Sequence, residues 1–137
     1  DSGNSPSIDD IPGVPESRLV AERSLARSQF DTYRARREGL QANIAQRQAE
    51  LRTTEATIPP LEESAAIARS RSEDFKRLLE NKYVGRHDYL LREQERITAD
   101  RDLAMQRNRI QEIRSSLSSA EEELSILVAD MRQQTLD

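Results

Sequence analysis

The sequence predicts an all-α protein, an elongated antiparallel coiled-coil helical hairpin of three helices, the first two roughly collinear with a break at Pro59-Pro60. Three observations predict it. Apolar residues recur along most of the chain with the 3,4 alternation of a coiled-coil seam. Only one stretch, Asn81-Lys82-Tyr83-Val84-Gly85-Arg86-His87-Asp88, has the residues of a reversal between two long helical runs. Of the 137 residues 34% are charged and only 4% aromatic, with no Trp and four Gly. A compact domain would bury aromatic side chains in a shared core, and that material is scarce here.

Residues 1–15 hold three of the five Pro and two of the four Gly without an apolar period, and read as a flexible lead-in. Helix 1 is expected over 16–58. Pro15 suits a first helical position, and Glu16 suits the positive end of the helix dipole. Its seam runs through Leu19, Arg23, Ala26, Phe30, Tyr33, Arg37, Leu40, Ile44, Arg47, Leu51, Thr54 and Ile58. Arg stands at three of these positions, its stem able to lie on apolar surface while the head reaches water.

Pro59 and Pro60 lack N–H groups and interrupt helix 1. Helix 2 is expected over 60–82, with Glu62 and Glu63 near its positive end. The same alternation continues through Leu61, Ala65, Ala68, Ser72, Phe75, Leu79 and Lys82. A phase kept through the prolines favours a short jog between collinear helices. The alternative is a reversal there into a three-helix bundle. The tip is placed at 83–86 and helix 3 at 86–135. The cleanest seam of helix 3 is Ile110, Ile113, Leu117, Ala120, Leu124, Leu127 and Met131. Counting back reaches Leu103, but Leu90 and Ile97 stand one position off, which predicts a one-residue slip between Ile97 and Leu103. At 1.5 Å per residue helix 3 is roughly 73 Å long, against about 61 Å and 33 Å for helices 1 and 2. The chain starts with Asp and ends within the seam pattern, as a piece of a longer protein would, and the missing length of the descending arm is expected beyond Asp137.

The formal charge of −4 comes from 25 acids and 21 bases interspersed along the chain, so no basic stripe suits a nucleic acid. No apolar run of about 18 residues is present, and membrane contact by this stretch is not expected. With no Cys, disulfide and thiol chemistry are excluded, and either redox compartment is compatible. His87 has no second His or Cys to join it as a metal ligand, and reads as a surface residue in a first helical turn. Glu121, Glu122 and Glu123 read as a solvated face. Catalytic residues, cofactor and metal are therefore not expected, and the protein is not read as an enzyme.

The reversal itself carries the remaining signal. Gly85 tolerates φ > 0 or a tight turn, and Asn81 is similarly permissive. Asp88, three residues after Gly85, supplies half of a capping box whose other half would be Ser or Thr at position 85. Tyr83 and Val84 are placed to staple onto Tyr89 or Leu90, either closing the hairpin or docking a partner.

Residues 74–89, Asp-Phe-Lys-Arg-Leu-Leu-Glu-Asn-Lys-Tyr-Val-Gly-Arg-His-Asp-Tyr, resemble the hairpin tip of periplasmic adaptors, also called membrane fusion proteins. The run Ser28-Gln29-Phe30-Asp31-Thr32-Tyr33 and the Pro-rich lead-in are similar to the haemolysin D (HlyD) branch, which serves type I secretion of repeat-in-toxin proteins. The resemblance implies a periplasmic hairpin within a larger protein anchored in the inner membrane of a Gram-negative bacterium. It also implies partners: an inner-membrane ATP-binding-cassette (ABC) transporter, a TolC-like outer-membrane channel, and further copies in a hexamer. The drug-efflux branch carries an Arg, Leu, Ser pattern at its tip, and the matching positions here are Asp74, Leu78 and Gly85. Two of the three differ, so the expected partner contacts are this chain's own: Leu78, Tyr83 and Val84 as apolar anchor, Lys82 and Arg86 as polar contacts, with Asp74 and Gly85 beside them. A coiled-coil spacer without channel docking is the alternative function.

Overall fold

The computed structural model describes the backbone of residues 4–136 and the side chains of residues 15–136. Three helices follow one another, α1 Asn4–Glu55, α2 Ile58–Glu80 and α3 Arg86–Leu136, and no strand occurs among the described residues. The expected all-α helical hairpin is what forms. Its contacts divide into two units, residues 1–42 with 123–137 and residues 43–122.

In the first unit the early part of α1 lies beside the end of α3. Tyr33, Arg37 and Leu40 are half-buried on α1, as are Leu124, Leu127 and Met131 on α3. Arg36 reaches Glu123 at 3.9 Å, and the Arg37 guanidinium lies 5.5 Å from the Tyr33 ring centroid. The expected seam positions Leu19, Arg23, Ala26 and Phe30 are exposed, so burial starts only at Tyr33. Ser28, Gln29 and Thr32 of α1 still share a groove with Leu127, Asp130, Met131 and Gln134 of α3, and the Phe30 ring lies 6.2 Å from that of Tyr33. The helical backbone also extends back to Asn4, which corrects the irregular lead-in expected up to residue 15. Pro6 stands in the first turn, where a missing N–H costs no intrahelical bond, although Pro12 and Pro15 each forgo one. Residues 1–3 of that lead-in lie outside the described residues.

The second unit holds the core. Thr54, Ala65, Ser72, Leu103, Ile110, Ile113 and Ala120 are its buried residues. On the ascending side every predicted seam position from Tyr33 to Leu79 is buried or half-buried, so the phase passes unchanged from α1 into α2. Both helices face α3, with Glu50 on Arg109 and Glu55 on Arg114 in α1, then Glu62 on Arg107 and Arg69 on Asp100 in α2. These contacts exclude a fold-back at the prolines. Because Pro59 and Pro60 occupy the first turn of α2, their missing N–H groups are ones that need no partner within that helix. Thr57, at φ −78° and ψ −18°, keeps a helical backbone. Its N–H and Oγ1 both donate to the Thr54 carbonyl, at 3.0 and 2.6 Å, and its own carbonyl accepts from Leu61 N–H at 3.3 Å. The result is a jog of two residues.

On the descending side the seam also keeps its count. Continuing from Leu103 toward the turn, the half-buried positions are Ala99, Arg96, Arg92 and Tyr89, while Leu90 and Ile97 stay 47% and 53% exposed. The expected slip between Ile97 and Leu103 does not occur. Polar and aromatic side chains take the inner positions near the turn, and the aliphatic ones that suggested a shift point outward. Exposed ion pairs of this kind contribute about 0.2–1 kcal/mol each, so the buried apolar layers carry most of the stability.

Candidate partner-docking site

The turn between α2 and α3 is built almost wholly from backbone hydrogen bonds. Asn81 caps α2, its N–H donating to the Arg77 carbonyl at 3.1 Å and its side-chain Nδ2 to the same carbonyl at 3.1 Å. Lys82 N–H then donates to the Leu79 carbonyl at 3.0 Å, and Tyr83 N–H to the Leu78 carbonyl at 2.8 Å. This crossed pair is a Schellman motif, which requires a left-handed residue at the first position beyond the cap. Lys82 fills that position at φ 63°, the only non-Gly residue with positive φ among the described residues. The sequence placed this conformational demand on Gly85 or Asn81. Gly85 has no positive φ, and serves instead as N-cap of α3, its carbonyl accepting from Tyr89 N–H at 3.3 Å.

The predicted site residues fall into two groups. Lys82, Tyr83, Val84, Gly85 and Arg86 are contiguous at the apex, all exposed except half-buried Val84. Tyr83 is 78% exposed, so it takes no part in a staple, whereas Val84 and Tyr89, both half-buried, hold the two staple positions. Leu78 lies one turn lower at 36% exposure. Asp74 lies a further turn down on the outer face of α2, and its carboxylate is paired with Arg77, so it presents less free charge than its sequence position implied.

Just below the apex is a polar cluster of which the seam count names only Ser72. Glu93 Oε2 accepts from Ser72 Oγ at 2.8 Å and from Tyr89 OH at 3.2 Å, while Glu93 Oε1 accepts from Arg96 Nε at 2.5 Å. Arg96 also reaches Asp100 at 2.9 Å, and Asp100 accepts from Arg69 at 3.3 Å. The hydrogen bonds from Arg96 and then Ser72 hold the Glu93 carboxyl below its usual range. Partial burial, then the bond to Glu93, raises the Tyr89 hydroxyl. Beside the cluster the Arg92 guanidinium sits 4.8 Å from the Phe75 ring centroid, with its Nε unpartnered. The signal was available: sevenfold steps back from Leu103 land on Arg96 and Tyr89.

Among the described residues no group of acids and histidine is placed to hold a metal ion, and no helix is long and apolar enough to cross a membrane. The geometry thus defines a helical-hairpin module whose exposed turn is its most distinctive surface. The chain belongs to the family described as the CyaD alpha-helical hairpin domain, whose model matches residues 1–137. It is similar to RTX-I toxin determinant D of Actinobacillus pleuropneumoniae, 28% identical over 94% of this chain and 27% of that protein. It is also similar to the chromosomal hemolysin secretion protein D of Escherichia coli, 27% identical over 90% of this chain and 26% of that protein. A leukotoxin secretion protein D of Mannheimia haemolytica is 25% identical over 89% of this chain and 25% of that protein. The chain therefore spans about a quarter of the length of these relatives, and its resemblance to the haemolysin D branch is upheld.

Proposed function

We propose that this hairpin is the docking arm of a periplasmic adaptor in type I secretion. In this reading the intact protein is anchored in the inner membrane, assembles as a hexamer, and bridges an ABC transporter to a TolC-like outer-membrane channel for export of a repeat-in-toxin protein. The role is mechanical and non-enzymatic. The relatives named as toxin determinant and hemolysin secretion proteins support the secretion role.

The observation that carries the tip assignment is the pairing of an exposed Tyr83 with a left-handed Lys82 at the apex. A large aromatic side chain held in solvent by a hydrogen-bonded turn is a pre-organised contact. Lys82 keeps a conformation that Gly would adopt without steric cost. Leu78 and Val84 extend the apolar contact, Arg86 adds a cation, and Asp74 and Gly85 border it.

The test is photo-crosslinking in cells from a reactive analogue placed at position 83, with position 78 as a second site. The reading expects a covalent adduct with the outer-membrane channel. No adduct at either position, together with normal secretion by Tyr83→Asp, would sink it in favour of a coiled-coil spacer.

A further inference from the structure

The buried layer nearest the turn is polar. Ser72 and Ala65 stand seven residues apart at the same seam position of α2, and each is only 3% exposed. Alanine therefore satisfies the packing at this position, and Ser72 adds nothing but a hydroxyl. That hydroxyl crosses the seam to Glu93 Oε2, which Tyr89 OH also reaches, while Arg96 holds Glu93 Oε1. Among the described buried residues Ser72 alone hydrogen-bonds to the other arm. Ala65, Leu103, Ile110, Ile113 and Ala120 are apolar, and the Thr54 hydroxyl donates to the Glu50 carbonyl of its own helix.

A network of this kind is a poor stabiliser. Drawing charged and polar groups out of water costs about what their mutual bonds return, and apolar side chains of similar volume often serve as well or better. What the network supplies is direction. Apolar contact is non-directional, so helices packed through Ala and Leu tolerate small slides and rotations, whereas a hydrogen bond weakens steeply with angle. Two donors from different helices meeting on one carboxylate oxygen fix the height and rotation of α3 against α2.

We propose that Glu93 is a positioning residue for docking: by joining Ser72 to Tyr89 it sets the direction in which the turn presents Tyr83. The connection to the turn is covalent and short. Tyr89, whose hydroxyl Glu93 holds, donates its own N–H to the Gly85 carbonyl at the start of α3, and on the other side the Leu78 carbonyl of α2 holds the Tyr83 N–H. Tyr83 lies 11 residues beyond Ser72, about 16 Å by helix rise. Over that length a tilt of about 10° displaces the apex by about 3 Å, well beyond the ~1 Å gap at which apolar surfaces still touch. This role presupposes the channel docking proposed for the turn.

Photo-crosslinking in cells from position 83, with positions 82 and 86 as neighbours, tests it together with thermal unfolding of the purified intact protein. The combined variant Ser72→Ala, Tyr89→Phe, Glu93→Leu makes the layer apolar and leaves Arg96 its contact with Asp100 at 2.9 Å. It is expected to melt no lower than the unsubstituted protein, yet to give about fivefold less channel adduct from position 83, with a larger share from 82 and 86. Glu93→Gln keeps an acceptor for Ser72 and Tyr89 but gives up the charge, so it is expected to melt lower while its adduct stays within about twofold. A merely structural role gives no such crossing of the two orders. Adduct yields that follow the melting order would overturn the assignment, as would an apolar variant that melts below Glu93→Gln. An adduct from position 83 that survives undiminished in the apolar variant removes the positioning role alone. No adduct from position 83 in the otherwise unsubstituted protein removes the docking reading itself, and this role with it.

Discussion

Ser72 and Glu93 join α2 to α3 one layer below the turn, the Ser72 hydroxyl donating to Glu93 Oε2 at 2.8 Å from a position only 3% exposed. This hydrogen bond is charge-assisted, and the same carboxylate accepts from Tyr89 through Oε2 and from Arg96 through Oε1. Such a bond contributes more than a neutral one.

The cluster predicts an acid-sensitive turn. The folded state holds the Glu93 pKa below the ordinary 4.5, so its contribution to stability is fully present above that value and is lost as pH falls through the lower, folded pKa. Thermal unfolding followed by circular dichroism from pH 7 to pH 3 should show a falling Tm in that window. Glu93→Gln should start lower at pH 7 and fall less on acidification. An equal acid limb in both proteins would show that other carboxylates dominate. Ser72→Ala should cost about 1–2 kcal/mol, because it strips a nearly buried charge-assisted donor.

Much of the fold was legible because helix period and seam period coincide over long stretches. From Tyr33 to Leu79 and from Leu103 to Met131 the aliphatic spacing and the burial agree, and the kept phase located the proline jog. From Tyr89 to Ala99 hydrophobicity does not mark the inside. There Arg92 and Arg96 face inward, where Phe75 and Glu93 receive them, and Leu90 and Ile97 face out. At the turn, residue type pointed to Gly85 for the left-handed position, yet the hydrogen-bond pattern assigns it to Lys82. Propensity names the residues able to adopt a conformation; the spacing of the two caps decides which one must.

Arg92 offers a second test of the inward polar positions. Its guanidinium gains a cation–π contact of about 0.5–1 kcal/mol on Phe75 and a 2.9 Å pair with Glu95. Against this, its buried Nε has no partner, a cost of about 1–3 kcal/mol. Arg92→Leu removes the orphaned donor and places an aliphatic side chain at a seam position. Urea unfolding is expected to show a gain of about 1 kcal/mol, whereas Arg92→Ala, which leaves Phe75 uncovered, should lose stability. A loss in the Leu variant would mean that the cation–π contact outweighs the orphaned nitrogen.

Gly85→Ser should stabilise the start of α3. A Cβ at position 85 would meet only Asp88 Oδ2, at 3.9 Å, and Gly85 has no positive φ, so the side chain enters without strain. The introduced hydroxyl can accept from Asp88 N–H while the Asp88 carboxylate accepts from the backbone N–H of position 85, completing the capping box. With the lower entropy of the unfolded chain, the gain is about 0.5 kcal/mol, read as a Tm rise of about 1–2 °C. A fall in Tm would show that position 85 needs the freedom of glycine.

Lys82 tests whether the turn trades stability for contact. A non-Gly residue in the left-handed region costs about 1–2 kcal/mol, and the Schellman hydrogen bonds from Lys82 and Tyr83 hold it there. Gly at this position removes the Cβ conflict but adds freedom to the unfolded chain, leaving a net gain of about 1 kcal/mol and a Tm rise of about 3 °C. Lys82→Val, β-branched and poorly suited to positive φ, should lower Tm by at least as much. If the Lys82 side chain contacts the partner, Lys82→Gly separates the two properties, giving a more stable hairpin with a weaker channel adduct from position 83. A variant both more stable and fully competent in docking would leave the left-handed lysine without a functional reason. One that is less stable would mean that the exposed lysine makes a folded-state contact worth more than the strain it relieves.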